Sequence, residues 1–493
     1  MLAGSSPFIL TVNGANFATH AAVLWNGVSL PTTFVSDTQL TASVSGSMVA
    51  SSGSASIVVM NSSPGGGQSS SLPFPIFQVT ALDANSLIFE PFSQRIIASV
   101  PSTASQLTGN SIVMIDPKTG QLGMPMFVGS EPKKMALSDD GQYLYVVLSG
   151  SNQVQRIVLQ TMKLDTLFTT TDGFSSNYSA DDLAVEPGNP NVLATVGYAH
   201  GIQLWNVTSS GATAIPGTNA GGPYEGGSLA WADANNLYSN DSGLSPSTFH
   251  RFAVSSNSYQ QIDGTYLDAV AYTIVYSGGL VYSFEGGVID ASPPYPQSPQ
   301  LKGKFPLYYS PSSLVAEASM DRAFFLSANG YNVSSHTISS FDATRFTSLS
   351  DLQLVGATGD AFDLVRWGSD GLAFRTVKDF WGNGSEQIVM LQGASVLPVS
   401  PTANPVPAIT SVNPASISAG AGNTWVTITG SQFVPGSVAQ WNGSTRTTKF
   451  VNSGQLNVAI PWTDLNAPGV ANLIVVNPTP GGGTSNSQSV TIN

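Results

Sequence analysis

The 493-residue chain has no cysteine. Disulfides, thiolate metal sites and a cysteine nucleophile are therefore excluded. Charge is also scarce. Asp, Glu, Lys and Arg make up 9% of the residues, 16 basic against 29 acidic, for a net charge of −13. No Lys/Arg cluster occurs. That balance argues against nucleic acid, whose phosphates need a basic face. It argues equally against an anionic membrane surface. No stretch approaches the roughly 18 apolar residues of a membrane span, so no membrane insertion is expected. The opening MLAGSSPFIL lacks the basic and long apolar regions of a signal peptide. A cysteine-free chain of this kind fits secreted bacterial proteins. An extracellular or cell-surface location is therefore expected, with the signal lying upstream.

Gly, Ser, Thr, Asn and Pro are abundant, and short β-branched and aromatic runs recur. Nothing reads as a helix longer than about two turns, which makes the chain all-β with many turns. Its length suits about two to four domains.

Two stretches are near copies at a constant offset of 416 residues. Trp25 pairs with Trp441, Phe34 with Phe450, Gly53 with Gly469, and Asn61 with Asn477. Strand-like runs such as SIVVMN and NLIVVN alternate with Gly/Asn/Pro turns, the pattern of a β-sandwich. The lead-in Pro414 to Gly420, the TITGSQF strand ending at Phe433, the WNG turn and the closing VNPTPGGGTSN resemble the IPT/TIG family of immunoglobulin-like domains. The resemblance implies a non-catalytic, extracellular or interaction module at each end. Trp25 and Trp441 read as packed aromatics beside a tight turn.

The first copy has no counterpart of PAITSVNPAS, about one edge strand. An edge without that strand exposes unpaired backbone groups. Either the chain is cut from a longer protein, or another chain supplies a strand by β-addition. The second option would make this edge a route to self-assembly.

Between the copies, about 320 residues carry a weaker repeat. Anchors at Leu87, Met135, Leu183, Leu229, Val270, Leu314 and Leu364 are spaced 48, 48, 46, 41, 44 and 50 residues apart. Seven units of four short strands at this period predict a seven-bladed β-propeller, whose closed ring buries both faces of each blade. The SDDGQYLYV hairpin from Ser138 to Val146 resembles the YVTN and lactonase-like propeller superfamily, a fold group with many functions. The expected division is 1–78 sandwich lacking its first strand, 79–400 propeller and 401–493 sandwich. A segment near Phe77 to Thr80 or Val396 to Val399 is expected to complete the last blade. Both sandwiches would then leave from one rim.

Catalytic signatures are missing. There is no G-x-S-x-G elbow, phosphate loop, dinucleotide loop or H-E-x-x-H. The four histidines are isolated in sequence. No EF-hand loop occurs. One pattern stands out: Asp83, Glu131, Asp181, Glu225, Asp268 and Asp360 each lie just before an innermost strand. They predict either a ring of carboxylates at the channel mouth or acceptors for backbone N–H groups in tight turns. Such a ring could hold a hard cation such as Ca²⁺, or bind a cationic or hydroxyl-rich ligand. Glu225 and Asp181 are the first suspects for acid–base chemistry. The Pro-rich loop Asp290 to Pro311 is the most unusual connection, and Tyr295, Tyr308 and Tyr309 are its candidate partner contacts.

Three functions follow. The leading one is a secreted or cell-surface bacterial binding, adhesion or assembly protein, with protein or carbohydrate as partner. The second is a propeller enzyme acting on an extracellular polysaccharide or lactone. The third is a structural subunit of a surface layer or filament.

Overall fold

The structure, a computed structural model, describes residues 1–171, 177–218, 227–241, 247–328, 335–379, 381–397, 403–479 and 481–493. Among them the only helical turns are three short 3-10 segments, and no helix is long and apolar enough to cross a membrane.

Residues 1–76 form two facing sheets. One holds Phe8–Asn13, Gln39–Val44 and Thr32–Ser36; the other is built on Ala22–Trp25 and Gly53–Asn61. The later copy repeats both sheets and adds Ala408–Asn413 beside Thr424–Ser431. In the first copy Phe8–Asn13 is the edge, paired on one side with Gln39–Val44. Leu2 nevertheless bridges Phe77 in parallel, with the Phe77 N–H on the Met1 carbonyl and the Ala3 N–H on the Phe77 carbonyl, as Ile417 and Ala419 bond Asn493 in the later copy. The WNG turns follow from local chemistry. Asn26 and Gly27 both take positive φ, as do Asn442 and Gly443, which is the two-residue hairpin geometry that Asn-Gly favours. Trp25 and Trp441 are buried in the two cores.

The described part of the central segment forms seven sheets. Their innermost strands are Ser86–Glu90, Pro132–Leu137, Asp182–Val185, Leu229–Asp233, Ile274–Ser277, Pro311–Glu317 and Asp360–Trp367. Each touches the next, and the seventh touches the first, which closes a β-propeller ring. Seven apolar clusters fill the seven gaps between neighbouring sheets. The strand Tyr143–Leu148 shows why. Tyr145 and Val147 pack toward the third sheet, while Leu144, Val146 and Leu148 pack toward the first. Alternate residues serve opposite faces, and both faces are buried, so the run YLYVVL is apolar throughout.

The seventh sheet is completed by Gln78–Ala81, which lies antiparallel to Gln387–Gln392 with Gln78 opposite Met390. Of the two closing segments expected from sequence, the structure uses the first; the second, Val396 to Val399, lies partly outside the described residues. The chain therefore enters and leaves the ring at one end of this sheet. The fifth repeat needs a correction. Val270 was the anchor expected in its innermost strand, but that strand runs Ile274–Ser277. Ala269 and Tyr272 take left-handed φ values of 60° and 64°, which a continuous strand does not allow. Val270 is buried in the loop instead.

His336, on the third strand of the sixth sheet, is fully buried against Phe374. Among the described residues neither ring nitrogen has a hydrogen-bond partner. Burial holds its pKa down from 6.5 to about 4. Above pH 6.5 neither folded nor unfolded chain is charged here. Between 6.5 and about 4 the unfolded chain takes up a proton that the folded one refuses, so stability falls with pH. The expected loss by pH 4.5 is about 2–3 kcal/mol. His336→Leu should flatten that part of a Tm-versus-pH curve; an unchanged slope would contradict the assignment.

Candidate functional site

In each sheet the first strand starts, and the second ends, at one face of the ring. The connections from second to third strand and from fourth to the next first strand open there; we call it the upper face. The first-to-second and third-to-fourth turns open on the lower face.

The lower face is occupied. Trp425 of the C-terminal sandwich donates its Nε1–H to the Asp139 carbonyl at 2.7 Å. Its ring meets Phe92 edge-on at 5.4 Å. Asn423 donates to the Gly141 carbonyl, and Gln94 to the Thr445 carbonyl. Gly141 is required at this contact: its φ is +64°, and a Cβ would stand 2.3 Å from the Phe92 ring. A groove of about 420 Å³ between Phe92, Trp462 and Arg446 runs along the seam. The N-terminal sandwich touches the same side, with Ser52 donating to the Lys118 carbonyl and Ser54 hydrogen-bonded to Ser395. Trp425→Ala is expected to release the C-terminal sandwich, costing about 2 kcal/mol of interface. Calorimetry should then resolve two transitions; a single unshifted transition would contradict this docking.

The upper face carries the exposed loop aromatics Tyr198, Tyr266, Tyr272, Tyr308, Tyr309 and Trp381. Among the described residues this face holds an open depression of about 1000 Å³ between the fifth and sixth sheets. Asp268, Tyr272, Phe284, Glu285, Tyr308 and Tyr309 are among its walls. Tyr308 and Tyr309 stand nearly perpendicular at 4.8 Å, and Tyr272 meets Phe284 edge-on at 5.4 Å. The base is rigid. Phe305 is buried among Phe325, Phe341 and Phe346, and its N–H bonds the Gly286 carbonyl. Gly286 has φ +89°, and a Cβ there would press on Leu307 at 3.0 Å. The Tyr272 loop is tied down by the buried Asn240, whose amide donates to the Tyr272 carbonyl at 2.9 Å and the Val270 carbonyl at 3.3 Å.

The sequence candidates are distributed as follows. Asp268 joins Tyr308 and Tyr309 in the depression. Tyr295 lies between the third and fourth strands of the fifth sheet, on the lower face, away from the other two tyrosines. Glu225 lies outside the described residues. Asp83 is half-buried; burial and the neighbouring Glu386 push its carboxyl up, against Arg375 and Lys378. Asp181 keeps an open side, yet partial burial raises its carboxyl, opposed by the Tyr198 N–H, Lys133 and His200. Glu131 is held by its main chain: its N–H bonds Asn110 and its carbonyl accepts from Ser149. Asp360 opens the innermost strand of the seventh sheet. Among the described residues no three His, Asp or Glu side chains converge as ligands for Ca²⁺ or another metal ion.

A different charged group lines the channel. Lys134 of the second sheet places Nζ 3.2 Å from Oδ1 of Asp363 in the seventh, reaching past the first sheet. The other Asp363 oxygen takes the Arg375 Nε–H at 2.6 Å. Asp363 can face inward because it sits at a register shift, with φ +51°. Burial raises its carboxyl, but Lys134 and Arg375 outweigh that and hold it below the ordinary carboxylate range. Asp363 in turn raises Lys134. Asp182 is pushed up by burial, and Lys134 and the Leu229 N–H pull against it. Lys134, Asp182 and Asp363 lie within innermost strands and Arg375 within a second strand, while Tyr272, Phe284 and Glu285 lie in loops, and no sequence motif marks any of them.

Residues 3–76 and 407–492 match the IPT/TIG domain family. No curated protein matches the chain. Among solved structures it is similar to the β-propeller domain of Cps50 (Swd1) from Myceliophteria thermophila, at 11% identity and TM-score 0.49 over 64% of this chain and 99% of that one. It is also similar to U3-55K, at 15% identity and TM-score 0.47 over 64% and 98%, and to the WD40 repeats of RRP9, at 16% and 0.47 over 64% and 97%.

Proposed function

We propose that the chain is a binding protein of the adhesion or assembly kind, secreted or displayed on a bacterial cell surface, and that it meets its partner with the upper face of the propeller. One observation carries this reading. Both sandwiches sit on the lower side, while Trp381 and, among the described residues, every strongly exposed tyrosine except Tyr295 lie on the opposite face. Exposed aromatics over a rigid base are the groups that dominate recognition surfaces. IPT/TIG domains at both ends support a modular, interaction-type protein. The Ser138–Val146 hairpin supports placing the propeller near the YVTN and lactonase-like superfamily.

The test is retention on insoluble bacterial envelope fractions. The wild-type chain should be retained. Trp381→Ser combined with Tyr198→Ser and Tyr308→Ser should lower retention at least tenfold, and Tyr295→Ser should leave it unchanged. Equal retention of all three proteins would sink the reading. Strand addition along Phe8–Asn13 is its structural-subunit version; a strict monomer by light scattering would remove it.

A further inference from the structure

We infer that the depression between the fifth and sixth sheets is a subsite for a neutral, pyranose-based glycan chain. The inference rests on the binding reading above and names its ligand class. Three independent observations point to it. The first is unspent bonding capacity. Among the described residues, the carboxylates of Asp268 and Glu285 make no ion pair or hydrogen bond, and neither do the phenolic hydroxyls of Tyr272, Tyr308 and Tyr309. Five polar groups thus line one concave surface with no hydrogen-bond partner in the protein, free to exchange water for a ligand's hydroxyls.

The second is shape. Beside Pro306, Leu307 and Pro311, the trough offers aromatic ring faces and edges, with Tyr308 89% exposed and set at 83° to Tyr309. A pyranose has the matching form, with a flat C–H face to lie on a ring and hydroxyls around its rim to meet carboxylates. An apolar peptide side chain would need an enclosed pocket, whereas this trough is open. Its volume of about 1000 Å³ lies at the top of the small-ligand range, room for several sugar units rather than one.

The third is backbone strain placed at the site. Ala269 and Tyr272 both hold left-handed φ without being glycine, and the loop they shape presents Asp268 and Tyr272. Conformations of this kind persist where the surroundings enforce them, and they cluster at ligand sites. Asn240 is the enforcing group here. Charge narrows the ligand further. Asp268 and Glu285 outnumber Lys304 in the trough, and the chain carries −13 overall, so anionic polysaccharides are disfavoured.

The experiment is affinity electrophoresis of the full chain in gels containing a soluble mixed-linkage glucan, dextran, polygalacturonate or polylysine. A neutral glucan should retard the wild type. Tyr308→Ala with Tyr309→Ala should weaken that retardation at least tenfold. Asp268→Asn should weaken it severalfold, and Tyr295→Ala on the lower face should change nothing. Tyr308 is so exposed that its loss leaves the core intact; an unchanged Tm checks this. Retardation only by polygalacturonate or only by polylysine would overturn the inference, as would neutral-glucan retardation that ignores Tyr308 and Tyr309. If no neutral glucan retards the chain while envelope retention still depends on the upper face, the glycan inference falls and the binding reading stands.

Discussion

A chain truncated to begin at residue 82 is expected to lose the folded propeller, whereas one beginning at residue 77 is expected to keep it. The five residues between them hold the ring shut. Gln78–Ala81 supplies the outer strand of the seventh sheet, pairing with Gln387 to Met390. Phe77 is fully buried in the cluster between the sixth and seventh sheets. Emptying a buried phenylalanine site costs about 3–5 kcal/mol. Each lost ladder hydrogen bond adds about 1 kcal/mol. The sum rivals the whole stability of a typical domain, about 5–15 kcal/mol. It also bares a strand edge beside fully buried Ile388, Val389 and Met390, so aggregation should follow. Size-exclusion elution and a cooperative thermal transition distinguish the two truncations. If both elute and melt alike, ring closure by this strand is wrong.

Asp363→Asn is expected to destabilise the chain by about 3 kcal/mol, the cost of leaving buried charges without their counter-ion. Lys134 and Arg375 share this one carboxylate within the channel. Asparagine keeps the size of the side chain and tolerates the left-handed φ of +51°, so the change isolates charge. The value is placed at the low end because Lys134 still has 46% of its side-chain surface open to the channel. Tm should fall by roughly 5 °C. Adding Lys134→Met should restore part of the loss, because one unpaired cation is then gone. A urea midpoint unmoved by Asp363→Asn would mean that the pair behaves as an exposed one.

The architecture was legible where sequence carries physical necessity. The sandwiches are legible because two similar stretches of turns and strands at one offset must bury the same positions, as Trp25 and Trp441 do. The sheets showed because runs such as YLYVVL in Tyr143–Leu148 are apolar on both faces, which a buried blade requires. The fifth repeat was misplaced by four residues because its entry loop bends through non-glycine left-handed residues, which no composition rule marks.

The candidate site was legible only in part. Asp268, Tyr308 and Tyr309 were visible as unusual loop residues, and folding brings them together. Tyr295 belongs to the same Pro-rich stretch but leaves on the other face, since the strand Gln300–Lys304 intervenes. The channel group was invisible because it depends on a bulge that turns Asp363 inward and on Lys134 reaching past a neighbouring sheet. The sequence marks carboxylates just before inner strands, whereas the buried channel group uses Asp182 and Asp363, which lie within the strands.

The central claim is that recognition happens on the upper face, away from both sandwiches. Hydrogen–deuterium exchange with and without the retained glucan or envelope fraction tests it most directly. Protection is expected at residues 266–273, 284–286 and 304–311. Protection confined to the sandwiches or to the lower-face turns around residues 92–94, 139–142 and 295, with the upper loops unchanged, would contradict it.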